Sequence, residues 1–231
     1  SGLMRLVDVH ARYHRKGPWI LRGVDAELRP GDIVVVSGRN GSGKSTLLRV
    51  LAGLLPIGRG SVLDRPADVA YVPERFPTEQ PFTVTSYLEA TAAVRGLLEP
   101  GTAIVRLAER LHVESFLETR LSELSKGTAR KVGLMQALLI SPGLLVADEA
   151  WDGLDAETQA EVPRLLEEVG AADGICLVTD HHGKADGLTA ARRWVLDDGR
   201  VTEVETECVS EDESRVLSRG ATSAPSARED T

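Results

Sequence analysis

Lysine and serine directly behind a glycine-rich turn form a phosphate-binding pair. Gly38-Arg39-Asn40-Gly41-Ser42-Gly43-Lys44-Ser45 sets them at the spacing G-x-x-x-x-G-K-[ST]. Glycines let the backbone turn so that successive N–H groups point inward, and a helix starting near Gly43 aims the positive end of its dipole at the same spot. Lys44 then neutralises β- and γ-phosphates, and the Ser45 hydroxyl takes a place on Mg²⁺. Two carboxylates, Asp148 and Glu149, end the apolar run Leu144 to Ala147. Behind a phosphate loop, such a strand-end Asp steadies the metal, and the neighbouring Glu accepts a proton from a water attacking the terminal phosphate. His181 follows a second apolar run, Ile175 to Thr179, on the same sheet edge, where an imidazole reaches a γ-phosphate. Taken alone, a surface histidine is the plainer reading of His181.

The elements that must carry these groups follow from pattern. The β-branched run Ile33 to Val36 enters the glycine loop as a strand, and leucines at 47, 48, 51, 54 and 55 leave it as a helix. Ahead of them, Arg5 to Tyr13 alternates apolar and polar residues, and Leu21, Val24 and Leu28 continue a second strand up to the Arg29-Pro30-Gly31-Asp32 turn. Tyr13 closes the first strand, where its ring serves equally as a wall for a base or as an ordinary half-buried aromatic. After the loop helix, Gly58 to Asp64 reads as a turn and Asp68 to Glu74 as a short strand. Helices are expected from about 85 to 98, 102 to 111 and 113 to 121, with no strand among them, so they form a helical subdomain inserted at about 75–124. Leu124-Ser125-Lys126-Gly127-Thr128 opens a further helix. Ser125 suits its N-cap, and Gly127 leaves the helix start open to an anion, although a plain capped helix explains the string as well. Asp155 caps a helix from 156 to 169, which Pro163 is expected to bend or divide. Arg193 to Leu196 and Arg200 to Val204 close the fold as a hairpin over Asp197-Asp198-Gly199. The class is α/β with a mainly parallel sheet core and an N-terminal antiparallel β subdomain.

The 231 residues, 42% hydrophobic, are enough for one nucleotide-binding unit with its subdomain. Ser1 to Leu3, ahead of Met4, read as a tag remnant and are set aside. No apolar run reaches about 18 residues and the start lacks a secretory pattern, so a soluble protein of the cytosol is expected. The net charge of −8 lies mostly from Glu203 onward, and the composition reads as an acidic, disordered tail over 206–231. No basic face for nucleic acid is present. Cys176 sits in an apolar run and Cys208 in the tail, which gives neither a disulfide framework nor metal-ligand spacing.

Over residues 5 to 203, the order and spacing of these motifs resemble the nucleotide-binding subunit of an ATP-binding cassette (ABC) transporter. The resemblance implies a P-loop ABC ATPase domain over residues 4–205 that binds ATP and Mg²⁺. On it, Tyr13 stacks on adenine and Gly38 to Thr46 hold the phosphates, with Gly38, Asn40, Gly41, Ser42, Gly43, Lys44, Ser45 and Thr46 as nucleotide contacts. Ser45, Asp148 and Glu74 serve the metal, Glu74 standing where the family has a glutamine, while Lys44, Glu149 and His181 carry the chemistry. His181 is preferred to His182 because the run from it to Leu196-Asp197-Asp198-Gly199-Arg200 has the family's usual length. Leu124 to Thr128 replaces the signature LSGGQ, and its Ser125 and Gly127 close over ATP held by a second ATPase subunit, identical or related. Lys126, Thr128 and Ala150 depart from the family pattern without removing a group the chemistry requires. The implied partner is a polytopic membrane subunit, which places the chain on the inner face of the cell membrane. The short insert, Tyr71 to Arg75 and the signature variant look like the exporter type. An importer subunit is the alternative, and a soluble ABC ATPase without transport a more distant one.

Overall fold

In the computed structural model, residues 2–181 and 183–204 are described. The apolar run that enters the glycine loop forms β3 (Ile33–Ser37), and its side chains alternate between two cores. Val34 and Val36 join one core and Val35 the other, as the period of two dictates. The same division repeats in β6 (Leu144–Ala147) and β7 (Ile175–Thr179), where Leu144, Val146, Ile175 and Leu177 face one way and Leu145, Ala147, Cys176 and Val178 the other. Strands buried on both faces belong to the centre of a parallel sheet. With β5 (Val69–Val72), β8 (Arg192–Asp197) and β9 (Arg200–Val204) they make a six-stranded sheet in the order β5-β6-β7-β3-β8-β9. All of its pairings are parallel except β8 with β9. Asp198 and Gly199, both at positive φ, make the tight turn of that last hairpin.

On one side lies a three-stranded antiparallel sheet, β2-β1-β4, built from β1 (Met4–Ala11), β2 (Leu21–Leu28) and β4 (Arg59–Leu63), together with α1 (Lys44–Leu51). Leu47, Leu48 and Leu51 of α1 are fully buried there, each stabilising the fold by about 1.5–3 kcal/mol. On the other side pack α2 (Val84–Val94), α3 (Gly101–Leu111), α4 (Lys126–Leu138) and α5 (Ala156–Ala171).

Three local expectations are corrected. Residues 58–64 are not a simple turn, because β4 pairs with β1 through its backbone. Gly60, at φ 87, permits the approach: a Cβ there would lie 2.2 Å from the Asp8 carbonyl oxygen, at the bulge of β1. Residues 113–121 form no α-helix. His112 adopts the left-handed conformation that ends α3, and only short 3₁₀ turns follow at Glu114–Phe116 and Leu121–Glu123. The carbonyls of Leu117 and Thr119 are used instead to accept the N–H groups of Thr85 and Val84, at the start of α2. Pro163 does not divide α5, which runs unbroken from Ala156 to Ala171 although the proline lacks the N–H that would have bonded the Gln159 carbonyl.

Candidate nucleotide site

The loop between β3 and α1 turns on glycines with positive φ, including Gly38, Gly41 and Gly43. At Gly38 the requirement is also one of space, because a Cβ would meet the Leu196 carbonyl oxygen at 2.5 Å. Gly43 N-caps α1 with no side-chain cap, and no acidic residue occupies the first turn, so the positive end of the helix faces the cleft. Lys44 folds back over the loop, its Nζ donating to the Gly38 and Arg39 carbonyls at 2.7 and 3.1 Å. Burial pulls the pKa of this ammonium below its usual value, against the opposing pull of Glu149 and Asp148. The Ser42 hydroxyl is buried without a hydrogen-bond partner, an orphan polar atom inside the phosphate loop. Tyr13, at the mouth, shares a 3.0 Å hydrogen bond between its hydroxyl and that of Thr46, and leaves much of its ring exposed.

A cleft of about 630 Å³ opens over this loop. It gathers Tyr13, Asn40, Gly41 and Gly43 with Lys44, Ser45 and Thr46, and adds Glu74, Asp148, Glu149 and His181 from other elements. Gly38 and Ser42 shape the loop from beneath. The carboxylates arrive at the end of β6, with Glu149 at φ 53, a left-handed conformation that non-glycine residues adopt only under constraint. That constraint is visible in its partners. Its N–H donates to Thr179 Oγ1 at 2.6 Å, and its Oε1 meets His181 Nε2 at 2.8 Å. The same Thr179 hydroxyl donates to Asp148 Oδ1 at 2.8 Å. Burial raises the pKa of the Glu149 carboxyl first of all, and the His181 ring draws it back down. His182 and Cys208 lie outside the described residues.

Two positioning residues escaped sequence reasoning. Arg130, buried on α4, donates to the carbonyls of Pro73, Glu74, Asp148 and Glu149, and so ties the end of β5 to the carboxylate pair. A charged residue three positions beyond Gly127 reads as a solvated helix face, and nothing in the pattern marks it as buried. Thr179 had a signal, a lone hydroxyl closing the apolar run Ile175 to Val178 two positions before His181.

Ser125 and Gly127 are not among the residues lining this cleft. Ser125 caps α4 as expected, its Oγ accepting from Thr128 N at 3.1 Å and donating to Thr128 Oγ1 at 2.9 Å. A Cβ on Gly127 would stand 2.8 Å from the Gly153 carbonyl, so close packing on the 151–155 loop requires glycine there. Asp155, at the end of that loop, caps α5 through Thr158 N at 2.8 Å and pairs with Lys131 Nζ at 2.7 Å. Cys176 is buried, as its apolar run implied.

Phosphate loop, strand-end carboxylates and a serine-capped helix on one α/β sheet define an ATP-binding P-loop protein. Residues 21–152 match the ABC transporter family, and the chain belongs to it: this is the ATP-binding, ATP-hydrolysing subunit of an ABC transporter. It is 37% identical over 196 residues to the zinc import ATP-binding protein ZnuC of Cereibacter sphaeroides, covering 83% of this chain and 79% of that one. It is also 32% identical over 203 residues to the mouse ABC-type organic anion transporter ABCA8B, covering 83% of this chain but 12% of the transporter. Among solved structures, an ATP-binding subunit of an ABC transporter superposes with a TM-score of 0.80 at 26% identity, covering 96% of each chain. A dimeric ATP-binding cassette bound to ADP and Pi gives a TM-score of 0.76 at 22% identity, covering 87% of this chain and 98% of that one, a likeness of fold.

Proposed function

We propose that the cleft hydrolyses ATP by in-line attack of water on the γ-phosphate and so drives transport through a separate membrane subunit. The observation that carries this reading is the convergence of Lys44, Ser45, Asp148, Glu149 and His181 on one cleft. Lys44 and the loop amides stabilise charge on the β- and γ-phosphates. Glu149, drier and more basic than a surface carboxylate, accepts the proton of the attacking water, and His181 holds its Oε1 in place. Tyr13 walls the base.

The hard oxygen donors of Ser45, Asp148 and Glu74 fit Mg²⁺ in company with the substrate's own phosphates. Among the described residues no group of three His, Cys, Asp or Glu side chains converges as a metal site, so phosphate oxygens must complete the set. Bound there, the cation supplies neutralisation of charge between the β- and γ-phosphates. Ser125 and Gly127 serve in a head-to-tail dimer, closing over the nucleotide of a second ATPase subunit. Their absence from their own chain's cleft supports that role. Among the described residues no helix is long and apolar enough to cross a membrane, which agrees with a chain docked on the cytoplasmic side of a polytopic partner.

Inward transport is the direction we favour. The bacterial relative named above and another from Yersinia enterocolitica, 33% identical over 166 residues, carry zinc-import names, whereas the expected export finds no support in them. The test pairs two variants with a pull-down. Lys44→Ala is expected to lose binding of a fluorescent ATP, and Glu149→Gln to keep it while turnover falls at least about 100-fold. Co-purification from detergent-solubilised membranes is expected to bring down a polytopic protein. Normal ATP affinity in Lys44→Ala would overturn the site assignment.

A further inference from the structure

Glu74 occupies a distinctive place. It lines the nucleotide cleft with Asp148 and Glu149, and also an adjoining cleft of about 450 Å³ beside Lys126 and Arg130. Its position is fixed from behind, because the Arg130 guanidinium bonds the Glu74 carbonyl at 2.8 Å as well as those of Asp148 and Glu149. Three carboxylates share the cleft with the Lys44 ammonium, and the Arg130 guanidinium beneath adds a second positive charge through its bonds to their carbonyls, which leaves one negative charge in excess. A polyphosphate arriving without a cation meets an excess of like charge. With a divalent cation on its β- and γ-phosphates, the same carboxylates become attractive.

From this arrangement we infer that Glu74 makes nucleotide capture conditional on a divalent cation, so that the site discriminates against metal-free ATP. The inference rests on the ATP-site reading above and adds a specificity-determining role for one side chain. Glu74 is exposed, so solvent screening keeps the effect of its single charge to roughly fivefold in affinity at low salt.

The experiment measures the affinity of N-methylanthraniloyl-ATP by fluorescence, with Mg²⁺ and with EDTA, for the full chain and its Glu74→Gln, Glu74→Ala and Glu74→Asp variants. The quantity read is the ratio of the metal-free dissociation constant to that with Mg²⁺. The ratio is expected to shrink roughly fivefold in Glu74→Gln and Glu74→Ala, to persist in Glu74→Asp, and to converge among all variants as KCl is raised. Equal ratios for the unaltered chain and its two neutral variants at low salt would overturn the inference while leaving the ATP site intact. So would a Glu74→Asp variant that behaves like the neutral ones. Failure of the unaltered chain to bind the probe even with Mg²⁺ would instead overturn the ATP-site reading and the inference with it.

Discussion

Thr179 carries a disproportionate share of the site's geometry, and replacing it by Val isolates that share because the two side chains have nearly the same shape. The residue is fully buried, and its one hydroxyl accepts from the Glu149 N–H at 2.6 Å and donates to Asp148 Oδ1 at 2.8 Å. In Thr179→Val the N–H is left unpaired in the interior, at about 1–3 kcal/mol, and the carboxylate loses a charge-assisted bond of about 1.5–3 kcal/mol. The extra burial of a methyl returns about 1 kcal/mol. The net expectation is a loss of about 2–4 kcal/mol, which moves the urea midpoint by about 1 M for an m-value near 3 kcal/mol/M. Turnover should fall at least about tenfold as well, since Asp148 and Glu149 lose their common tether. Thr179→Ser keeps the hydroxyl and should lose about 1 kcal/mol and little activity. Equilibrium unfolding without nucleotide, followed by steady-state ATPase assays, decides the matter. A Val variant within about 0.5 kcal/mol of the parent, or a Ser variant as damaged as the Val one, would refute the hydrogen-bond argument.

Other perturbations test other parts of the molecule. Burial pushes the Cys176 thiol up to about 12, so in a Cys208→Ser background an aromatic disulfide reagent at pH 8 should find no reactive thiol until denaturant is added, and one afterwards. Lys131 above all, and then the Thr158 N–H, hold the Asp155 carboxyl well below the usual carboxylate range. The stability this contributes is therefore complete above the unfolded-state pKa of about 4 and is lost as pH falls through the lower folded value. Asn caps a helix as well as Asp, so Asp155→Asn should be less stable at pH 7 by no more than about 1 kcal/mol, the carboxylate being half-exposed, and the gap measured by urea unfolding should begin to narrow below about pH 4 and shrink further as the pH falls. Gly127→Ala forces a methyl against the Gly153 carbonyl, and should lower the thermal midpoint by several degrees, for a loss of about 1–3 kcal/mol.

What was legible in the chain was legible because chemistry demanded both identity and spacing. A phosphate loop tolerates few residues at Gly38, Lys44 and Ser45, and a carboxylate that shares its cleft must end a neighbouring strand, as Asp148 does. The doubly buried strands β3, β6 and β7 announced themselves as continuous apolar runs. β4 did not, since an exposed edge strand of Arg59-Gly60-Ser61-Val62-Leu63 is held by backbone pairing and a glycine, and neither leaves a period. Residues 113–121 carried apolar residues at helical spacing, yet their carbonyls were needed to cap α2, a demand made by a segment some 30 residues earlier. Arg130 was invisible for a similar reason: its partners are main-chain oxygens at two strand ends, and main-chain oxygens have no letter in a sequence.

Several of the site's polar side chains are engaged with protein partners. Lys44 donates to the Gly38 and Arg39 carbonyls, Glu149 pairs with His181, Asp148 accepts from Thr179, and Ser125 spends its donor on Thr128. For these groups nucleotide binding exchanges hydrogen bonds, and an exchange of equals contributes little net free energy, whereas the orphan Ser42 hydroxyl and the uncapped start of α1 can add them. What an incoming triphosphate offers beyond exchange is charge, which favours Lys44 and the N-terminal end of α1 over neutral carbonyls as partners. Release of Lys44 from the loop frees two carbonyls, and in the proposed dimer a turn of the Ser125 hydroxyl from Thr128 toward the second subunit's phosphate would leave its capping acceptor role unchanged. The groups that must move are thus held by bonds a phosphate can outcompete. Those that must stay, Asp148 and Glu149, are anchored through Thr179 and Arg130, which the substrate has no need to touch.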